Sequence, residues 1–100
     1  MTILEFQDHV NHYAKLFTDL NYCVIALNGE AGEVAEWYKK AVLRGNPDGN
    51  LREIDLLDEL GDVLFYLTRI AHLKGWSLED VMATNKLKLD ERSGRGLIVG

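Results

Sequence analysis

The chain has few of the residues that disulfide-bonded, membrane-spanning or nucleic-acid-binding proteins need. Its one cysteine, Cys23, cannot form an intramolecular disulfide and has no second thiol nearby for a zinc pair or a redox motif. No apolar run approaches the roughly 18 residues that span a bilayer, and the first residues lack the zones of a signal peptide. Acidic residues outnumber basic ones by 16 to 11, giving a net charge of −5, which disfavours nucleic acid and anionic membranes as partners. We therefore expect a cytoplasmic protein that binds neither nucleic acid nor a membrane.

Proline also occurs only once, and apolar side chains recur about every 3.6 residues, so the sequence predicts an all-α fold. One hundred residues allow one domain, and 47% apolar residues are enough for a core. The core of so short a chain is marginal, and four short helices with broad apolar faces leave more surface than one chain can cover. We therefore expect a four-helix bundle-like domain over residues 1–92, completed by dimerisation, with a flexible arm over 93–100.

Capping signals and turn formers set the predicted helix limits. Thr2 opens the first helix, with Glu5 three residues later completing a capping box. Ser77 and Asp80 open the fourth in the same way, and Gly75 is placed to end the third. The first predicted helix begins at residue 2, and the others cover residues 22–43, 54–74 and 77–92. A loop of turn-forming residues is predicted at 45–50. The apolar stripe of the first helix is Phe6, Val10, Tyr13, Phe17 and Leu20.

Two acidic pairs recur at an offset of 29 residues. Glu30 and Glu33 in the second helix correspond to Glu59 and Asp62 in the third, and each pair borders the apolar stripe. Like charges three residues apart repel, and more strongly when packing removes water. If the two helices are neighbours, the four carboxylates converge and must take up protons or hold a cation. Oxygen-only ligands favour Mg²⁺ or Mn²⁺.

Structural and functional interpretations of the surrounding residues both stay open. Most surface acidic groups lie on solvated edges of helices. Because two matched pairs are present here, the solvated-surface interpretation and the metal-site interpretation have about equal weight. Gly32 and Gly61, which weaken a helix, would fit a site where backbones approach closely. Other polar and aromatic residues could hold a polyphosphate or a nucleobase, or could serve only as core, charge partners or solvated surface: Trp37, Lys39, Lys40, Tyr66, Asn85, Lys88 and Arg92.

Three blocks in order resemble the MazG-like nucleoside triphosphate pyrophosphohydrolases of the all-α NTP pyrophosphatase superfamily. They are residues 27–36, residues 58–66 and the pattern Asn85-x-x-Lys88-Leu89-x-x-Arg92, and the similarity extends over roughly residues 20 to 96. The family signature E-x-x-E followed by E-x-x-D is matched by Glu30, Glu33, Glu59 and Asp62. Gly29 departs from the pattern, since many members have a second acid there, so the number of bound ions stays open.

The resemblance implies hydrolysis of ribo- or deoxyribonucleoside triphosphates to the monophosphate and pyrophosphate. It implies Mg²⁺, with Mn²⁺ as a substitute, held by the four motif acids as the catalytic centre, and a homodimer or homotetramer with the site near the interface. Phosphate or sugar contacts would come from Asn85, Lys88, Arg92 and Lys40, and base contacts from Trp37 or Tyr66. Two alternatives stay open: a catalytically silent helical module that binds a partner protein, and a hydrolase of another phosphoanhydride such as an alarmone.

Overall fold

The chain is built from four α-helices. A computed structural model describes residues 1–13 and 19–94, and no β-strand occurs within them. The elements are α1 (Ile3–Tyr13), α2 (Leu20–Tyr38), a π-helical segment that continues α2 (Lys39–Leu43), α3 (Glu53–Leu73) and α4 (Leu78–Gly94). No helix in these two ranges is long and apolar enough to cross a bilayer. The predicted all-α fold is confirmed.

Both predicted capping boxes form. The Thr2 amide donates to Glu5 Oε1 at 3.2 Å, and the Glu5 amide donates back to Thr2 Oγ1 at 3.1 Å. At α4 the amide of Ser77 donates to Asp80 Oδ2 at 2.9 Å, and that of Asp80 donates to Ser77 Oγ at 3.1 Å. These bonds satisfy amides that have no partner inside a helix. Gly75 adopts a φ of +80°, which L-residues disfavour, and α3 ends just before it as predicted.

Two helix limits differ from the prediction. Leu20 does not continue the stripe of the first helix; it is the first residue of α2. Asp19 caps α2 by accepting from the amide of Asn21 at 2.9 Å, a capping role that the apolar spacing alone does not reveal. Phe17 lies outside the described residues. At the other end α4 continues to Gly94, so residues 93 and 94 of the predicted arm are helical, and residues 95–100 also lie outside the described part.

The hairpin of α2 and α3 is the main packing unit and positions the candidate site. Residues 44–52 reverse the chain between the two helices. Asn46, at a positive φ of 52°, closes this loop: its side-chain amide donates to the Leu51 carbonyl at 3.0 Å, and the Leu51 amide donates to Asn46 Oδ1 at 3.2 Å. Because the loop turns the chain back, α3 runs antiparallel to α2, and the two acidic pairs lie side by side in opposite order.

The core of the described residues is small. Buried apolar residues are Val10, Cys23, Trp37, Ala71 and Leu78. The radius of gyration is 16.5 Å, compared with about 13 Å for a compact domain of this length. Leu57, Leu60 and Leu64 form an apolar stripe along α3, 41–62% exposed, and every residue of α4 from Met82 to Gly94 is exposed. One chain alone therefore leaves broad helix faces uncovered.

Candidate active site

Three carboxylates meet between α2 and α3. One oxygen each of Glu30, Glu59 and Asp62 lies within 4.8 Å of the other two. Glu30 and Glu59 are half-buried, whereas Asp62 is exposed. Glu33 is exposed and stands outside this group. The antiparallel hairpin thus brings three of the four predicted ligands into one cluster and leaves the fourth at its edge.

The cluster carries a concentrated negative charge. Burial raises the pKa of Glu30, and the charges of Asp62 and Glu33 raise it further. Burial also raises the pKa of Glu59, followed by Asp62 and Glu33. Every charge that shifts these two groups is acidic, so they have the environment of a cation site rather than of a salt-bridged pair. In contrast, hydrogen bonds from Lys39 and then Lys40 lower the pKa of Glu36, one turn beyond Glu33.

The donor set fits a hard divalent cation. Ligands on opposite sides of Mg²⁺ are about 4.2 Å apart, because each Mg²⁺–oxygen bond is about 2.1 Å. The three oxygens lie within 4.8 Å of one another, which exceeds this by an amount that small side-chain rotations remove. Oxygen-only coordination suits Mg²⁺ or Mn²⁺ and does not select zinc. Glu30, Glu59 and Asp62 could therefore hold such an ion.

The predicted close approach of backbones at Gly32 and Gly61 does not occur within the described chain. A Cβ placed on either glycine would meet nothing within 4 Å, and both residues are exposed. They lie on the sides of α2 and α3 that face away from the hairpin contact. The prediction of a close backbone approach at these glycines is therefore wrong for the hairpin of a single chain.

The two lysines that follow α2 are engaged with a neighbour. Lys39 Nζ lies 2.9 Å from Glu36 Oε2, and Lys40 Nζ lies 3.4 Å from Glu36 Oε1. Both pairs are about half exposed, so water screens them and each contributes little to stability. Lys40 also lines a polar pocket of about 320 Å³ against the loop after α2. It lies seven residues beyond Glu33, which is about 10 Å along the helix on the same side.

The two predicted aromatic residues occupy different environments. Trp37 is only 9% exposed, and its buried indole N–H has no acceptor within the described ranges. A ring enclosed in this way is part of the core and offers no face to a nucleotide. Tyr66 is half-buried beside the cluster. Burial and the hydrogen bond that it shares with Tyr22 raise the pKa of Tyr66 to about 12, and Glu30 adds to the shift.

The α4 residues do not join the carboxylates within one chain. Asn85, Lys88 and Arg92 are all exposed. The helix that carries them packs on α1 and α3, and Asn85 lines a cavity of about 500 Å³ whose walls are mostly apolar side chains of these helices. The charges that shift Glu30 and Glu59 do not include Lys88 or Arg92. The structure therefore separates the predicted phosphate-binding residues from the predicted metal ligands.

Tyr22, which the sequence pattern does not single out, lies beside Tyr66. Its ring centroid is 6.4 Å from that of Tyr66, with the two planes tilted by 58°. A usable signal was present: Tyr22 precedes Glu33 by 11 residues, which is three helical turns, so the two side chains lie on the same side of α2. The pattern around the acidic pairs extended only from residue 27 onward and did not reach it.

Comparisons with known proteins identify a family relationship. The sequence model described as the MazG nucleotide pyrophosphohydrolase domain matches residues 20–96, a range that contains α2, α3 and α4. The chain is also similar to "Gene 37 protein" of Mycobacterium phage L5, with 40% identity over 84 residues that cover 81% of this chain and 72% of the phage protein. No solved structure matches the chain.

Proposed function

We propose that this chain, which belongs to the MazG nucleotide pyrophosphohydrolase family, hydrolyses nucleoside triphosphates to the monophosphate and pyrophosphate with Mg²⁺, for which Mn²⁺ can substitute. The observation that carries the proposal is the cluster of Glu30, Glu59 and Asp62 inside the matched region. A binding module has no need to concentrate like charges, whereas a phosphoryl-transfer site must neutralise a polyphosphate. The composition favours a cytoplasmic location.

Glu30, Glu59 and Asp62 would hold the ion, which when bound neutralises phosphate charge and lowers the pKa of a coordinated water. Without a cation the three carboxylates repel a triphosphate, so they make nucleotide binding depend on the metal. Glu33 has an exposed carboxylate next to the cluster. In this proposal Glu33 accepts the proton of the water that attacks phosphorus, because a general base must be within reach of that water.

The working unit in this proposal is a homo-oligomer, at least a dimer. The exposed α3 stripe of Leu57, Leu60 and Leu64 is apolar surface that a second copy can bury. The exposed second half of α4 carries Asn85, Lys88 and Arg92 away from the carboxylates of its own chain. In a symmetric dimer each α4 can reach the partner's carboxylates instead. Lys88 and Arg92 would then offset phosphate charge, with the guanidinium able to bind two oxygens at once, and Asn85 would orient a phosphate or sugar oxygen.

Pyrophosphate release tests the proposal. The wild-type chain should release pyrophosphate from nucleoside triphosphates in Mg²⁺ and none after chelation. Asp62→Asn keeps the side-chain size but removes a ligand charge, and should abolish turnover while the helical circular dichroism is unchanged. Asp8→Asn on α1, also an exposed aspartate, is the matched control and should be as active as wild type. Near-normal hydrolysis by Asp62→Asn, or no pyrophosphate from any triphosphate in the wild type, would contradict the assignment.

A further inference from the structure

We infer that the ring of Tyr22 is the surface on which the nucleobase stacks, and that Tyr66 positions this ring. The inference rests on the proposed function, because it concerns how the same substrate lies along the hairpin. Tyr22 is 55% exposed and lies on the side of α2 that also carries Glu33. Aromatic side chains with an accessible face are the usual stacking platform for a base.

The tyrosine pair lies at the distance from the metal ligands that a nucleotide requires. Tyr66 follows Asp62 by four residues on α3, which is one turn, or about 6 Å along the axis. The centroid of its ring is 6.4 Å from that of Tyr22. Glu30, a member of the cluster, is close enough to Tyr66 and to Glu59 to raise the pKa of each. Tyr22 precedes Glu30 by eight residues, about 12 Å along α2, a length that the phosphate, ribose and base of a nucleotide can span, so a phosphate at the carboxylates allows the base to reach Tyr22.

The side chains on the two sides of the carboxylate cluster differ in chemistry, and this difference sets the direction of the substrate in the inference. Beyond Glu33 the next charged side chains are Glu36, Lys39 and Lys40. The pocket that Lys40 lines against the loop after α2 follows them. On the other side of the cluster are the two tyrosine rings. A triphosphate tail is anionic and a base is flat and apolar on its faces, so the outer phosphates extend toward Lys40 and the base toward Tyr22.

Tyr66 acts on the base through Tyr22. It is half-buried and shares a side-chain hydrogen bond with Tyr22. The hydrogen bond between the two hydroxyl groups fixes the orientation of the more exposed Tyr22 ring. Because every base has a π-face, a single stacking ring favours binding without selecting strongly among bases.

Steady-state kinetics and calorimetry on the full chain test the inference. The variants are Tyr22→Leu, which keeps an apolar side chain but has no π-face, and Tyr22→Phe, which keeps the ring. Tyr38→Leu is the matched control, because Tyr38 is on the same helix and is 51% exposed. The probes are Mg²⁺-loaded nucleoside triphosphates for KM and kcat, and α,β-methylene-ATP and inorganic tripolyphosphate for calorimetric Kd.

Tyr22→Leu should raise KM for all four triphosphates, and the Kd of α,β-methylene-ATP, by about tenfold, with kcat unchanged. The Kd of tripolyphosphate, which has no base, should stay at the wild-type value. Tyr22→Phe, which keeps the ring but loses the hydrogen bond with Tyr66, should raise KM and Kd by less than Tyr22→Leu does, and Tyr38→Leu should behave like wild type. If Tyr22→Leu leaves KM and Kd unchanged while the wild type is active, the stacking role is wrong and the proposed function stands. Equal loss of tripolyphosphate affinity, or an equal defect in Tyr22→Phe, would also overturn it; a wild type that neither binds nor hydrolyses nucleotides removes both proposals.

Discussion

Glu30 and Glu59 face each other from antiparallel helices, and one carboxylate oxygen of each lies within 4.8 Å of the other. Burial and acidic neighbours raise the pKa of both groups. Two half-buried like charges at this separation oppose folding unless a proton or a cation joins them. The hairpin therefore stores an electrostatic penalty that a metal ion can relieve, and this penalty can be measured without any knowledge of the substrate.

Replacing Glu59 with Gln should raise the thermal unfolding midpoint of the metal-free protein, because one of the repelling charges is lost. Adding Mg²⁺ should stabilise the wild type, by about 2.7 kcal/mol at a hundred times its Kd, and should stabilise Glu59→Gln much less. Scanning calorimetry with and without Mg²⁺ makes the measurement. Glu79→Gln, an exposed glutamate on α4, is the control and should keep the full metal response. An equal Mg²⁺ response in Glu59→Gln would show that the ion binds elsewhere.

The raised pKa values of Glu30 and Glu59 predict how stability depends on pH. Because their pKa values are higher in the folded than in the unfolded protein, the folded state binds more protons in the window just above the ordinary glutamate pKa. The free energy of unfolding of the metal-free protein should therefore fall as the pH rises through that window. Urea unfolding at a series of pH values measures it.

The contribution of the cluster is obtained as a difference between variants, since other groups also titrate. Glu36 acts in the opposite direction, because Lys39 and Lys40 lower its pKa. Subtracting the free energy of unfolding of Glu59→Gln from that of the wild type removes this background. The difference should become more unfavourable to the wild type as the pH rises, and saturating Mg²⁺ should abolish it. A difference that does not change with pH would mean that the carboxylates do not interact in solution.

Local signals in the sequence predicted the fold more completely than the site. Thr2, Ser77 and Gly75 act through neighbours a few residues away, so helix starts and stops can be read from spacing. The convergence of Glu30 with Asp62 follows from periodicity once the helices are taken as neighbours. The position of Tyr22 beside Tyr66 depends on the register of α2 against α3. The separation of Arg92 from the carboxylates depends on the direction that α4 takes after Gly75. Periodicity carries neither kind of information.

Two glycine-to-alanine substitutions should change stability in opposite directions. Gly61 lies inside α3 with open space where a Cβ would be, so Gly61→Ala should stabilise the protein by about 0.5–1 kcal/mol. Gly75 has a φ of +80°, where a side chain strains the backbone by about 1–2 kcal/mol, so Gly75→Ala should destabilise it. Urea unfolding of both variants measures the pair. Gly61 lies on the same face of α3 as Leu57 and Leu64, so destabilisation by Gly61→Ala would show that the second copy proposed to cover this stripe packs closely against Gly61.

Whether α4 serves its own carboxylates or those of a partner can be decided by mixing two inactive variants. Asp62→Asn lacks a metal ligand, and Arg92→Ala, which lacks a phosphate contact in this proposal, should also lose most activity. If α4 reaches across the dimer, each mixed dimer contains one site with an intact Asp62 from one copy and an intact Arg92 from the other. Unfolding and refolding the two variants together in equal amounts should restore about a quarter of wild-type activity, because half of the dimers are mixed and half of their sites are complete.

The control for this experiment is a mixture of Asp62→Asn with Glu59→Gln. Both residues belong to the carboxylate cluster of a single chain, so no mixed dimer has a complete set and the mixture should stay inactive. Recovery in this control would mean that the carboxylates of two chains combine. No recovery with Arg92→Ala would mean that α4 closes over its own hairpin when the nucleotide binds. Because the exposed second half of α4 makes no contact with the cluster charges in the isolated chain, we expect recovery through the partner.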